Sequence, residues 1–189
     1  MKTMKLNNKG VMSIVSIILI LIIAMVASGF VTILQRTMII REVQGIMDTS
    51  GLMALRNGVD KELWLQEEKL SVETSIVSKQ YKELVSDEVS KMTAIHSHSY
   101  KVVKVHEPNS PGLKTLGIPN GERDQYYLES MILLKIDRPS QFGPGSNLVW
   151  GFYNFFSGEN GNQHNDVTST VIDGEDALII RSVTRLVLR

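Results

Sequence analysis

The most constraining feature of this sequence is a long uncharged segment near its N-terminus. Residues Val11–Leu34, 24 in number, include no Asp, Glu, Lys or Arg. A helix rises about 1.5 Å per residue, so this segment can cross the roughly 30 Å hydrocarbon core of a bilayer. Soluble domains rarely bury so long an uncharged run. We therefore expect a transmembrane helix over 11–34, in contact with membrane lipid.

The charges beside this segment predict its orientation. Residues 1–10 form a basic leader with three lysines and no acidic residue, and two arginines and Glu42 follow the segment. The positive-inside rule then favours a cytoplasmic N-terminus and an extracytoplasmic remainder in a single-pass protein of the cell membrane. The alternative is a secretory signal peptide cleaved near Ala27-Ser28-Gly29. Against it, the apolar run before that site exceeds the usual 7–15 residues or so, and apolar residues resume after it.

Small residues within the segment suggest a helix-packing face. Ala24 and Ser28 are four residues apart and share one helix face, and Ser16 and Gly29 add further small side chains. Such spacing lets helix backbones approach closely in lipid. Small residues are also common in membrane helices in general, so both interpretations stay open.

Helical periodicity continues beyond the membrane segment. Residues 35–60 carry apolar side chains at three- and four-residue steps without proline, which predicts an amphipathic rod that ends near Asn57-Gly58. A second helical region is predicted over 61–92, where Val77, Tyr81, Val85 and Val89 recur every fourth residue. Trp64, near its start, could instead lie at a membrane interface.

The period then changes to that of strands. Residues 100–106, 126–136, 167–172 and 177–188 are rich in β-branched and aliphatic residues, some with alternating apolar positions. Helices followed by strands predict an α+β fold: a long N-terminal helix, then an extracytoplasmic head over 61–189 with a helix packed on a small antiparallel sheet.

A cluster of aromatic residues marks the long loop between the second and third predicted strands. Five of the chain's 12 aromatic residues fall within seven positions, namely Trp150, Phe152, Tyr153, Phe155 and Phe156. An exposed cluster of this kind would bind a partner or a membrane surface. The alternative is that this segment folds into the domain core.

Metal sites and cofactors are not expected. His96 and His98 alternate along the chain with His106 further on, but no third ligand stands at a telling spacing, and a polar linker between helix and strand is the simpler interpretation. Residues 158–166 and 173–176 carry oxygen-bearing side chains suited to calcium, yet they lack the EF-hand pattern. We interpret both as solvated turns.

Composition narrows the function further. Residues 42–189 carry 15 basic and 20 acidic side chains, and this net charge of −5 argues against nucleic acid as a partner. The absence of cysteine excludes disulfides, thiol catalysis and cysteine-ligated metals. No G-x-S-x-G, P-loop, G-x-G-x-x-G or H-E-x-x-H motif is present. We therefore expect no enzymatic activity.

The junction between leader and apolar segment carries a resemblance. The sequence Asn7-Asn8-Lys9-Gly10-Val11-Met12-Ser13 resembles the start of type IV prepilin-like proteins, and the region VQGIMDTSGLMALRNGV at 43–59 resembles TadE-like minor pseudopilins. The resemblance covers residues 5–60. It implies that prepilin peptidase cleaves after Gly10, that Lys9 and Gly10 form the processing signal, and that Val11 is the mature first residue.

The resemblance also implies a role. Such proteins are structural subunits of a surface pilus or secretion apparatus and assemble with other pilin-like subunits through the N-terminal helix. Their usual glutamate at the fifth mature position is replaced by Val15, which suits a minor or tip subunit better than a major pilin. The alternative is a signal-anchored binding module, unrelated to pili, that engages a partner through the aromatic residues at 150–156.

Overall fold

The computed structural model describes residues 8–61, 65, 70–136, 167–172 and 175–186. Among these residues, 8–38 belong to one compact unit, and those from Ile39 onwards belong to a second. The described elements are α1 (Asn8–Asn57), α2 (Thr74–Ser90), β1 (Ile95–His106), α3 (Pro111–Thr115), a 3-10 turn (Asn120–Glu122), β2 (Tyr127–Ile136), β3 (Val167–Ile172) and β4 (Glu175–Arg185). The predicted α+β class is confirmed.

Helix α1 belongs to both units, because it runs without interruption from Asn8 to Asn57. It ends where the Asn57-Gly58 pair predicts, and the Gly58 N–H donates to the Ala54 carbonyl oxygen over 2.9 Å. A side chain at Gly58 would collide with the Cγ2 methyl of Val77. Glycine is therefore required at this position, where the end of α1 approaches α2.

The sheet has four strands in the order β1-β2-β4-β3, and every neighbouring pair is antiparallel. The predicted small antiparallel sheet is thereby confirmed, and the bounds of β2 and β3 are close to those expected. β1 begins at Ile95, earlier than the sequence predicts. His96 and His98 therefore lie within a strand, and their interpretation as a linker is wrong.

The second predicted helical region, 61–92, is interrupted in the structure. Lys61 and Leu65 are helical, but residues 70–73 are not: Val72 forms an antiparallel bridge with Val59, and the helix α2 begins at Thr74. The Glu73 N–H donates to the Gly58 carbonyl oxygen over 2.8 Å, and the Asp60 N–H donates to the Ser71 carbonyl oxygen over 3.0 Å. These bonds use backbone groups that a longer helix would need, so the prediction that 70–73 are helical is wrong. Trp64 lies outside the described residues.

The core of the second unit forms where α1, α2 and one sheet face meet. Alternation along β2 directs its even-numbered residues to this face. The main buried members are Val43, Met47, Ala54 and Leu55 of α1, Val77, Tyr81, Val85 and Val89 of α2, and Leu128, Ile132, Leu134, Leu178 and Ile180 of the sheet. Residues 39–57 of α1 are therefore an integral part of this core.

The opposite sheet face is covered at one end by the connection between β1 and β2. Leu113 and Leu116 pack there against Tyr127, with Ile118 and Val183 partly buried beside them. Tyr127 also donates a hydrogen bond of 2.8 Å to the Glu122 carbonyl oxygen. This small second core fixes the 107–125 connection, which the sequence shows only as a proline- and glycine-rich loop.

Candidate functional site

The largest apolar surface of the described chain is the N-terminal part of α1. Between Ile14 and Val31 every large apolar side chain that the structure describes is 51–68% exposed, and these side chains point in all directions around the helix. A helix that is apolar all round is stable only when it is buried in protein or in lipid. We call Ile14–Val31 the anchor segment.

The anchor segment is suited to crossing a membrane. Among the described residues, α1 is the one helix whose length and composition would allow it to span a bilayer. The predicted membrane helix is thus supported as a physical possibility, in keeping with a single-pass membrane protein.

The residues expected to mediate helix packing lie along this segment. Ser16 and Ala24 are exposed, Ser28 is half-buried and Gly29 is buried. The expected processing residues Lys9, Gly10 and Val11 lie in the first turns of α1. Helix geometry brings Ala24 and Ser28 to one face, one turn apart.

The aromatic residues Trp150, Phe152, Tyr153, Phe155 and Phe156 lie outside the described residues, as does the 158–166 segment. Their assignment to a partner-binding loop stays a prediction. Of the second oxygen-rich segment, Glu175 and Asp176 belong to β4.

The three histidines of β1 do not form a common site. The His98 ring meets the Tyr100 ring edge-on, with a centroid distance of 5.7 Å. His106, at the far end of the strand, is buried and hydrogen-bonded to Glu129. Within the described ranges, no three residues of the kinds that bind metals come close enough to hold an ion.

His106 belongs to a charged cluster that the sequence does not reveal. Its Nε2 lies 2.9 Å from one carboxylate oxygen of Glu129, and Nη2 of Arg181 lies 2.7 Å from the other. Gly112 of α3 packs so closely on the imidazole that a Cβ there would collide with the ring. The ring is therefore held between a carboxylate and a helix backbone. The register of β1, β2 and β4 brings the side chains of His106, Glu129 and Arg181 together.

The hydrogen bonds set the ionisation of Glu129. Burial of its side chain acts to raise the pKa of the carboxyl, but the hydrogen bonds from His106 and Arg181 outweigh this effect and bring the pKa below its ordinary value. Glu129 is therefore an anion at neutral pH. The cluster links β1, β2 and β4 through their side chains.

A second group of polar side chains runs from the core to the exposed Asp48 of α1. The Tyr81 hydroxyl donates to Ser130 Oγ over 2.8 Å, and Ser182 Oγ donates to the Asp48 carboxylate. Ser130 also approaches the Ser182 carbonyl oxygen at 3.4 Å. Burial raises the pKa of Tyr81 above its ordinary value. The group satisfies the buried hydroxyls of α2, β2 and β4 and links β4 to the carboxylate of Asp48 on α1, which ties both helices to the sheet.

Comparisons with known proteins add nothing to these observations. No family model, no characterised protein and no solved structure matches the chain.

Proposed function

We propose that this protein is a membrane-anchored, pilin-like (TadE-like) structural subunit of a surface pilus or secretion apparatus. Its N-terminal helix would anchor it and also assemble it with other subunits. The observation that carries the proposal is the continuity of α1: one helix holds the exposed, uncharged anchor segment and also contributes Val43, Met47 and Leu55 to the core of the α+β unit.

The physical basis of such a role is an exchange of contacts. In the membrane the anchor segment is solvated by lipid, and in an assembly the same surface packs against equivalent helices of other subunits. Association of helices in lipid depends on close packing rather than on the hydrophobic effect, so small residues such as Ser16, Ala24 and Ser28 favour it. This role requires no catalytic chemistry.

Processing at the leader is the second element of the proposal. The Lys9-Gly10 junction resembles a prepilin peptidase site, so the mature chain would begin at Val11 with a cytoplasmic leader removed. Val15 in place of the usual glutamate points to a minor or tip subunit, because such a subunit need not be added repeatedly to a growing filament.

The first experiment is to determine the mature N-terminus. Protein isolated from the membrane of its native host would be analysed by intact mass and N-terminal sequencing, beside a Gly10→Leu variant. We expect a start at Val11 in the wild type and an unprocessed leader in the variant, with both inserted in the membrane. A wild-type start at Met1 would contradict processing, and a start after residue 27 would show a cleaved signal peptide.

The second experiment tests assembly through the helix. Since the chain contains no cysteine, Ala24→Cys introduces a single thiol on the small-residue face. Val26→Cys is the matched control, because two residues of helix rotate it by about 200° to the opposite face. We expect oxidation in membranes to cross-link Ala24→Cys more than Val26→Cys. Equal or absent cross-linking would contradict assembly through this face.

A further inference from the structure

The sequence contains three Asn-Gly pairs, at positions 57–58, 120–121 and 160–161. An asparagine that precedes glycine can lose its side-chain amide, because the main-chain nitrogen of the glycine can attack the side-chain carbonyl carbon. Glycine favours this reaction, since it has no side chain to shield the nitrogen and its backbone rotates freely. The first two pairs lie among the described residues, and their surroundings are opposite.

The first pair, Asn57-Gly58, is held on both sides. Gly58 is buried, and its N–H donates to the Ala54 carbonyl oxygen over 2.9 Å. Its carbonyl oxygen accepts a hydrogen bond of 2.8 Å from the Glu73 N–H, and a Cβ at this position would collide with the Cγ2 methyl of Val77. The Gly58 nitrogen therefore cannot turn towards the Asn57 side chain without breaking these contacts.

The second pair, Asn120-Gly121, is open. It lies in the 3-10 turn Asn120–Glu122, and both of its residues are exposed. A Cβ at Gly121 would meet no atom within 4 Å, and the Gly121 N–H makes no hydrogen bond to another described residue. The nitrogen that would attack the Asn120 side chain is therefore accessible.

The backbone bonds of this turn are few. The Glu122 N–H donates to the Pro119 carbonyl oxygen over 3.0 Å. The Arg123 nitrogen lies 3.5 Å from the Asn120 carbonyl oxygen, at the limit of a hydrogen bond. The Asn120 backbone must rotate to bring the Gly121 nitrogen to its side-chain carbon. Because this rotation breaks one good backbone bond at the surface, local opening of the turn gives access to the reactive conformation.

We propose that Asn120 is a site of spontaneous modification, at which the folded protein converts asparagine into isoaspartate and aspartate. The Gly121 nitrogen loses its proton and forms a bond to Cγ of Asn120, the Cγ–Nδ2 bond breaks, and ammonia leaves with that proton. Water then opens the resulting cyclic imide. Attack of water at the main-chain carbonyl carbon gives isoaspartate, and attack at Cγ gives aspartate. The inference is independent of the proposed function.

Isoaspartate would alter the connection between β1 and β2. It routes the main chain through the former side-chain carbon and so lengthens the main chain at Asn120 by a methylene. Glu122 is fixed nearby, since its carbonyl oxygen accepts a bond of 2.8 Å from the Tyr127 hydroxyl and its carboxylate lies 3.2 Å from Nη1 of Arg185. The extra length must therefore be absorbed within the turn, at the expense of the bond between Glu122 and Pro119.

The test compares the two Asn-Gly pairs within the full-length protein in detergent. The protein is incubated in mildly alkaline buffer, which favours proton loss from the glycine nitrogen, and is then digested. Trypsin cleavage after lysine and arginine releases the pairs in separate peptides, residues 57–61 and 115–123. Mass spectrometry detects the exchange of amide for carboxyl, and labelling by an isoaspartyl methyltransferase detects isoaspartate.

The matched variant is Gly121→Ala. The space around Gly121 is open and its backbone does not adopt a positive φ, so alanine preserves the turn while its methyl group shields the nitrogen. We expect Gly121→Ala to suppress the modification without a change in thermal unfolding. In the wild type, Asn120 should react roughly ten-fold or more faster than Asn57, whose reaction requires the end of α1 to open.

Each outcome decides the proposal. Modification at Asn120 that Gly121→Ala suppresses supports it. An intact Asn120, under conditions in which a synthetic peptide of residues 115–123 reacts, would overturn it. Equal rates at Asn57 and Asn120 would also overturn it, because the reaction would then occur in the unfolded chain. Undiminished modification in Gly121→Ala would overturn attack by the Gly121 nitrogen.

A second measurement tests the effect on the turn. The isoaspartate form is separated by chromatography and compared with Asn120→Asp, which carries the same charge without the added methylene. We expect hydrogen exchange of the Glu122 amide to be faster in the isoaspartate form, since this amide loses its bond to Pro119. Equal exchange in the two proteins would overturn the altered connection.

Discussion

Two glycines of α1 have opposite surroundings. A Cβ at Gly51 would lie 2.6 Å from Thr184 Oγ1, whereas a Cβ at Gly45 would meet no atom within 4 Å. We expect Gly45→Ala to raise the free energy of unfolding by about 0.5–1 kcal/mol, because alanine favours the helix. Gly51→Ala should lower it by about 1–3 kcal/mol through overpacking.

This pair of variants is its own control, since both make the same change in one helix. Thermal unfolding of the full chain in detergent, followed by circular dichroism, measures the two shifts. Shifts in the same direction would contradict the surroundings described for these glycines.

Glu129 should make the stability of the sheet sensitive to acid. Its folded-state pKa lies below the ordinary value of 4.5, so the ionised form stabilises the fold above that pH. The contribution is lost as the pH falls through the lowered folded-state pKa. Glu129→Gln should therefore lower the free energy of unfolding by about 1–3 kcal/mol at pH 7. In strong acid the difference from wild type should shrink.

Urea unfolding at a series of pH values checks this expectation. Glu107→Gln is the control, because Glu107 is exposed and follows β1 directly. A difference between wild type and Glu129→Gln that stays constant from pH 7 to pH 3 would show that the charge of Glu129 contributes nothing.

Contacts between individual side chains are the features that the sequence predicts least well. The apolar stripe of α2 was predictable, because helical periodicity is a local property. The bond between Tyr81 and Ser130 was not, since it joins residues 49 positions apart. His106 shows the same limit: its partner Glu129 follows from the register of β1 on β2, which no local pattern encodes.

At the scale of elements, the anchor segment should depend on the absence of charge. Ile20→Lys combined with Ile23→Lys places two charges in the middle of this segment. Each should oppose membrane insertion by about 2.5–3.5 kcal/mol. The control is Met38→Lys combined with Met53→Lys, at exposed positions of the same helix beyond the anchor segment.

Resistance to alkaline extraction from membranes measures the effect. We expect the control to stay in the membrane fraction and the Ile20/Ile23 variant to be depleted from it. Equal retention of both variants would indicate that this part of α1 is not held by lipid.

Element types were more predictable than element ends. The change from a period of 3.6 to a period of 2 separates helices from strands in this sequence, and the observed sheet follows it. The start of α2 was misjudged because Ser71 and Glu73 make backbone bonds to the turn after α1. A tertiary contact of this kind overrides helix propensity, which is a weak preference by itself.

For the molecule as a whole, α1 should be needed for folding as well as for anchoring. The α+β unit begins at Ile39, and Val43, Met47, Ala54 and Leu55 are fully buried in its core. A fragment of residues 39–189 should therefore fold cooperatively. A fragment of residues 61–189 should not, because it lacks these four side chains. Burial of each of the larger ones, Val43, Met47 and Leu55, contributes about 1.5–3 kcal/mol to the free energy of unfolding.

Near-ultraviolet circular dichroism and urea unfolding compare the two fragments. Both should be prepared at equal concentration, so that aggregation is not mistaken for loss of structure. Cooperative unfolding of residues 61–189 with the stability of the longer fragment would contradict the role given to α1.

The α+β class of the whole chain was predictable from the sequence, but the order of the strands in its sheet was not. Local patterns indicate a long helix followed by an α+β domain. The order β1-β2-β4-β3 depends on contacts between distant segments, and so do the two edges that it leaves.

The hydrogen bond between Asp48 and Ser182 joins positions 134 residues apart. A contact of such length closes late, because the loop entropy must be overcome before the contact stabilises anything. While the ribosome is still adding residues, Val43 and Met47 have no β4 to cover them, although α1 is already complete. During synthesis this chain therefore passes through a stage in which α1 is complete but the core is still open. We expect chaperones to be needed at this stage, because the core side chains of α1 are then uncovered.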